Sequence, residues 1–315
     1  MRDLLSARLT DSVALSEDVT RFTFEGVDAS IPGCAAGSHI DVHLPNGMIR
    51  NYSLCDWASD GSRVSIGVKL EPFGRGGSAA MHELEVGSIV QISPPRNTFP
   101  LRTGEAPIVL LGGGIGITPL YAMARVLQAA GTTFDVHYMV RTRALAAFDG
   151  PLRALGLSDA YQLHCDDTDG RPEFQSLLKA HPSHTRYYVC GPEVMLNAVQ
   201  RASEDLGRGS IFFERFAAAP RVDDGPQESF HVAVRSTGEE FEVPAEKSIL
   251  EVLRDAGHDI DYACSEGACG TCITDVLEGD IEHRDSILTD EERTEGNCMC
   301  ICVSRARCAR LVLDL

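Results

Sequence analysis

Nowhere does this chain carry an apolar run long enough to cross a bilayer. Its opening residues, Met1-Arg2-Asp3-Leu4-Leu5, do not build the apolar core of an export signal. It is also short of positive charge: 28 Lys and Arg stand against 46 Asp and Glu, a formal net charge of −18. That deficit argues against nucleic acid and anionic membranes as partners, because both are bound through cationic surfaces. Without an export signal, 11 cysteines belong in a reducing compartment, where thiols serve metals or chemistry rather than disulfides. A cytoplasmic protein is expected, and 315 residues provide for two or three domains.

What is present is most specific near the C-terminus. Cys264-Ser265-Glu266-Gly267-Ala268-Cys269-Gly270-Thr271-Cys272 is a C-x4-C-x2-C loop, and Cys302 follows 30 residues after Cys272. This is the spacing of a plant-type [2Fe–2S] site: three thiolates come from one loop and a distant fourth clamps the other side. Small residues in the loop allow backbone N–H groups to turn toward the sulfurs and tune the potential. A structural zinc site is the alternative, but zinc knuckles favour paired C-x2-C units. The segment 299–305 alternates like a strand, so Cys298, Cys300 and Cys302 are expected to share one face. Spacing alone does not choose between Cys300 and Cys302 as the fourth ligand.

Residues up to about 102 are predicted to form a small antiparallel β-barrel. Alternating runs at 19–24, 39–44, 64–69 and 89–92 are separated by turns such as Pro45-Asn46-Gly47 and Asp60-Gly61. Within it, Arg50-Asn51-Tyr52-Ser53 lies on a predicted strand, placing Arg50 and Tyr52 on one side and Ser53 on the other. An arginine fork beside an aromatic face suits a phosphate and a flat heterocycle. Gly74-Arg75-Gly76-Gly77-Ser78 then opens a short helix, a natural phosphate seat.

From 103 to 216, apolar strands (107–111, 134–140, 161–165, 186–190, 210–214) alternate with helices, which predicts a doubly wound parallel sheet. Its first turn, Gly112-Gly113-Gly114-Ile115-Gly116-Ile117-Thr118-Pro119, brings backbone close to a pyrophosphate. Thr118 is expected to cap the helix that follows, with Pro119 in its first turn. Cys190-Gly191-Pro192 ends the fourth strand, at the mouth where such sheets bind ligands. A buried, merely packing cysteine is the alternative. Residues 217–228 read as a linker. From 229 to 315, two strands and a helix with a Ser248/Glu251 capping box precede the cysteine loop in an α+β fold. Residues 228–315 hold 20 Asp and Glu against 8 Lys and Arg, a net of −12. Such a surface either steers a basic docking face or is simply solvated.

Together these residues resemble the phthalate dioxygenase reductase family, which includes vanillate demethylase reductases, over the full chain and in the same domain order. The resemblance implies an FMN-binding barrel (1–102), a nicotinamide domain (103–216) and a C-terminal ferredoxin (229–315). It implies that Arg50 meets the FMN phosphate, with Tyr52 and Ser53 at the ring and Gly76, Gly77 and Ser78 at the second phosphate segment. Gly113, Gly114, Gly116, Thr118, Pro119, Cys190, Gly191 and Pro192 resemble its nicotinamide motifs. Glu214-Arg215-Phe216 resembles the end of the reductase module, with Phe216 near the flavin. Cys302-Val303-Ser304-Arg305 resembles the ferredoxin tail and selects Cys302, with Cys264, Cys269 and Cys272, as the ligands. The implied activity passes electrons from NADH through FMN and [2Fe–2S] to a Rieske-type oxygenase or O-demethylase. The implied protein is a monomer and uses no side chain as acid or base. A cytochrome P450 is the alternative acceptor, and a non-catalytic redox sensor the alternative class. Arg141 and Arg143 are positioned to receive the 2′-phosphate should NADPH be used.

Overall fold

The computed structural model of the chain describes residues 4–208, 210–216 and 228–315. Most of the expected linker, 217–227, lies outside them. The described residues divide into two compact units between Glu214 and Arg215.

The first unit begins with β1 (Leu5–Ala14), β2 (Val19–Gly26), β3 (Ser38–His43), β4 (Ile49–Trp57) and β5 (Arg63–Lys69). Helix α1 (Gly77–His82), β6 (Ile89–Ile92) and β7 (Arg96–Asn97) follow. All pairings are antiparallel, in the order β4-β5-β2-β1-β6-β3-β7. A further β3–β4 pairing closes six strands into a barrel. Closure removes the open edges that a flat sheet would expose. Alternation aims Phe22, Phe24, Ile40, Leu54 and Ile66 inward, each at most 1% exposed. Burying each such side chain contributes about 1.5–3 kcal/mol.

The chain then alternates: β8 (Ile108–Gly113), α2 (Ile117–Ala129), β9 (Phe134–Val140), α3 (Asp149–Ala154) and β10 (Tyr161–Cys165). After these come α4 (Asp166–Asp169), α5 (Phe174–Lys179), β11 (Arg186–Cys190), α6 (Glu193–Asp205) and β12 (Ile211–Glu214). The five strands are parallel in the order β10-β9-β8-β11-β12. Strand order reverses between β8 and β11, so the crevice lies beyond their C-terminal ends. Val109, Leu111, Tyr187 and Val189 pack with Leu196 and Val199 of α6 on one side. Leu110, Tyr138 and Tyr188 pack with Leu120 and Met123 of α2 on the other. Helix α2 also ties the sheet to the barrel: Arg125 pairs with Asp56 of β4.

One local expectation is corrected here. Thr118 does not cap α2. Gly114 takes a left-handed φ of 54°, a short 3-10 turn follows, and the helix starts at Ile117. The Thr118 hydroxyl therefore lies inside the first turn and donates to the Ile115 carbonyl at 3.0 Å.

The second unit holds β13 (Phe230–Val234), β14 (Glu240–Val243), α7 (Ile249–Asp255), β15 (Ile273–Glu278) and β16 (Ile281–Glu282). Helix α8 (Asp290–Glu295), β17 (Cys298–Cys300), β18 (Arg305–Ala306) and β19 (Arg310–Leu313) complete it. Its main sheet runs β14-β13-β19-β15-β17. Ser248 and Glu251 form a reciprocal cap that starts α7, which buries Ile249, Leu250 and Leu253. Arg305 is buried and donates to the carbonyls of Lys247, Glu228 and Pro244, so it fastens three segments.

Candidate cofactor sites

In the barrel, β4 carries Arg50, Tyr52 and Ser53 as three residues of one strand. Arg50 lies flat against the start of α1. A Cβ on Gly77 would stand 2.2 Å from its Nε and 2.7 Å from its Cγ. Only a residue without a side chain lets arginine and helix start come this close. Gly76 precedes the helix with φ 89°, and the Ser78 hydroxyl accepts from the Glu71 N–H at 3.0 Å. Two stretches far apart in sequence therefore present a guanidinium and a first-turn backbone side by side, a donor set that fits a phosphate. Burial raises the Tyr52 phenol well above its ordinary range, against the pull of Arg50, so it stays neutral.

Ser53 reaches the other half of this unit: its hydroxyl lies 3.5 Å from Glu214 Oε2, at the end of β12. Desolvation pushes the Glu214 carboxyl up to about 8, with Ser53 pulling weakly the other way. The neighbouring strand end is Cys190, wholly buried. Its thiol is raised by burial and then by Glu214. Across the reversal of strand order, Gly113 and Gly191 meet backbone to backbone. A Cβ on Gly191 would be 3.0 Å from the Gly113 Cα. Gly116 lies against the backbone of Cys190 in the same way, while Pro119 is buried in the first turn of α2 and Pro192 precedes α6. The glycine loop after β8 and the Cys190-Gly191-Pro192 turn after β11 thus flank one crevice. Glu214 entered the sequence reading only through its resemblance to a module end. Its desolvation depends on β12 lying beside β11, which no local pattern encodes. Phe216 is exposed at the start of the second unit.

In the second unit, five cysteines converge. Cys264 shares hydrogen bonds with Cys269 and Cys302, and Cys272 shares them with Cys300 and Cys302. This sharing holds the Cys264 and Cys272 thiols well below the ordinary thiol range. It raises their partners Cys269, Cys300 and Cys302. Ser265, Gly267 and Gly270 have left-handed backbone. The N–H groups of Glu266 and Ala268 point at Cys264 Sγ (3.3 and 3.5 Å), and that of Cys264 points at Cys269 Sγ (3.5 Å). Sulfurs surrounded by inward N–H donors are the environment of an iron–sulfur cluster. The expected common face of Cys298, Cys300 and Cys302 is not formed. Strand β17 ends at Cys300, and a turn closed by Val303 and Ser304 N–H on the Cys300 carbonyl carries Cys302. The turn changes the direction of Cys302, so that it reaches both Cys264 and Cys272 while Cys300 reaches Cys272. Beneath the loop, the carboxylate of buried Asp285 accepts from the Ile287 and Leu288 N–H groups and pairs with Arg293 at 3.1 Å. This support was invisible to spacing arguments.

Comparison with known proteins joins these sites. Residues 6–100 match the oxidoreductase FAD-binding domain family, and residues 232–307 match the 2Fe-2S iron-sulfur cluster binding domain family. The chain is 41% identical over 309 residues to the vanillate O-demethylase oxidoreductase of Pseudomonas sp. strain HR199, covering 96% of each. The solved structure of phthalate dioxygenase reductase superposes with a TM-score of 0.75 at 35% identity, covering 99% of this chain and 98% of that one. This chain belongs to the phthalate dioxygenase reductase family. As a family member it is a flavin- and iron–sulfur-dependent oxidoreductase. Its barrel, parallel sheet and cysteine-bearing α+β unit are the fold of that family. An intact type IV self-sufficient cytochrome P450 monooxygenase superposes with a TM-score of 0.87 at 33% identity. The match covers 99% of this chain, which spans about two fifths (41%) of that larger protein.

Proposed function

We propose that this reductase carries electrons from NADH through FMN and a [2Fe–2S] cluster to a Rieske-type oxygenase or O-demethylase, acting as a cytoplasmic monomer. We assign FMN to residues 1–102, nicotinamide to 103–216, a linker to 217–228 and the cluster to 229–315. The observation that carries this reading is the near-complete, end-to-end likeness to a demethylase reductase, with the Arg50–Gly77 cradle and the cysteine cage in one chain.

When bound, a flavin would accept the two electrons of one hydride and give them up one at a time, and the cluster would relay them singly. The residues of this chain supply position. Arg50 and the first turn of α1 hold the phosphate through Gly76, Gly77 and Ser78, and Tyr52 and Ser53 fix the ring. Gly113, Gly114, Gly116, Thr118 and Pro119 form one wall for the dinucleotide; Cys190, Gly191 and Pro192 form the other. Glu214, protonated at neutral pH, keeps a proton beside Ser53 rather than a negative charge. Phe216 is the flavin neighbour implied by the family. Cys264, Cys269, Cys272 and Cys302 hold the irons.

Direction follows from potential. Plant-type clusters lie near about −400 mV and Rieske centres roughly between −150 and +300 mV. At about 59 mV per tenfold, transfer is favoured by roughly four powers of ten or more. Transfer to a cytochrome P450 is the second reading, favoured by the likeness to the self-sufficient monooxygenase. One experiment separates them. Flavin released from purified protein is identified, and turnover is measured with NADH and NADPH against a Rieske oxygenase and a P450. FMN, NADH preference and Rieske turnover support the first reading; P450-only turnover replaces it with the second.

A further inference from the structure

The cysteine cage holds one thiol more than a [2Fe–2S] cluster needs. With Cys264, Cys269, Cys272 and Cys302 as ligands, Cys300 is left over inside it. Its place is fixed from two sides. β17 pairs with β15 so that Cys300 stands opposite Ile273, the residue after Cys272. The Cys300 carbonyl accepts the Ser304 and Val303 N–H groups at 2.9 and 3.2 Å, closing the turn that carries Cys302. Between them, the Ile301 N–H lies 3.4 Å from the Cys272 carbonyl. Met299, Cys300 and Ile301 are wholly buried, so the strand cannot swing this thiol away without opening a close-packed core.

The thiol so placed shares its hydrogen bond with Cys272, whereas Cys302 shares with both Cys264 and Cys272. A buried thiol among apolar neighbours keeps its proton. Cys300 therefore offers an S–H to the sulfur of Cys272, which carries negative charge when it binds iron. Donation to a charged acceptor is stronger than to a neutral one. The Cys302 N–H also serves Cys272, but any residue at that place would supply a main-chain donor. The donor at Cys300 depends on its side chain. Reduction adds one negative charge to a cluster, and a hydrogen bond to one of its sulfurs stabilises the reduced form more than the oxidised form.

We propose that Cys300 sets the cluster potential as a donor to Cys272 Sγ, making the iron easier to reduce without binding it. This rests on the cluster assignment made above. The donor eases the step from flavin to iron and narrows the drop from iron to the acceptor. The test compares full-length Cys300→Ala and Cys300→Ser with the parent, each carrying two irons per chain. Midpoint potentials are read from the electron paramagnetic resonance signal of the reduced cluster in a redox titration. Losing one hydrogen bond should move the Cys300→Ala equilibrium about threefold to tenfold toward the oxidised form. At about 59 mV per tenfold, that is a fall of about 28–59 mV. Cys300→Ser, which keeps a donor, should lie nearer the parent. Should Cys300→Ala fail to hold iron, Cys300→Val fills the buried space and takes its place. Loss of iron from both would make Cys300 a ligand and overturn the cluster assignment. Two irons with an unchanged or higher potential would overturn the donor role alone.

Discussion

The cysteine cage and the crevice proposed for flavin and nicotinamide are built by opposite strategies. The cage takes three of its thiols from nine consecutive residues, and left-handed turns aim the N–H groups of that stretch at its own sulfurs. The crevice has no such local unit. Arg50, Gly77, Gly113, Cys190 and Glu214 come from five places, and barrel closure and a reversal of strand order bring them together. A locally built site tolerates change elsewhere but fails outright when one ligand is lost. An assembled site loses function by degrees.

Substitutions at each site test that contrast. The largest effect is expected at the cage. Cys269→Ser should abolish cluster assembly, read as loss of visible absorption and iron, while NADH–ferricyanide turnover through the flavin persists. Loss of both activities together would break the comparison. Next, Cys302→Ser should lose the cluster and Cys300→Ser should keep it, because Cys302 reaches two cage thiols and Cys300 one. Iron content and the electron paramagnetic resonance spectrum of the reduced proteins check this. The crevice should respond less. Arg50→Ala removes a hydrogen bond to a charged group, about 1.5–3 kcal/mol. Flavin affinity should weaken about ten- to hundredfold, read by fluorescence on dialysis. Gly77→Ala should act in the same direction by displacing the arginine, with Arg50 itself unchanged.

The smallest effect concerns pH. Glu214 is raised in the fold to about 8 from an ordinary 4.5, so the unfolded chain releases this proton first as pH rises. Its contribution to stability is full below about pH 4.5 and is lost as pH climbs toward 8. Glu214→Gln should flatten that part of the melting-temperature profile. Parallel profiles for the two proteins would remove the carboxyl from the account.

The same contrast explains what could be read before any coordinates. β9 and β11 were delimited by their largely apolar runs, because strands buried on both faces leave a nearly unbroken signal. β1 was not, because only Ala7 and Leu9 of its ten residues are buried. The cage loop was legible because its chemistry is a spacing. The turn that redirects Cys302 was not: alternation continues through residues 301–303 in sequence while the backbone turns. Helix α8, too short and polar to show an amphipathic stripe, is set by the reciprocal cap of Thr289 and Glu292, a pattern present in the sequence but outweighed by the acidity around it. The setting of Glu214 depends on which strand neighbours which, and composition carries no trace of that.

The contact between Gly113 and Gly191 has one more consequence. Where two main chains touch, a hydrogen atom sets the width of the slot, and no rotamer can widen or narrow it. On the proposed reading, neighbouring side chains can evolve to change how tightly a dinucleotide is gripped or which one is preferred. Where it would sit is then fixed by the polypeptide itself, so a lineage that exchanges redox partners would keep the entry point for its fuel.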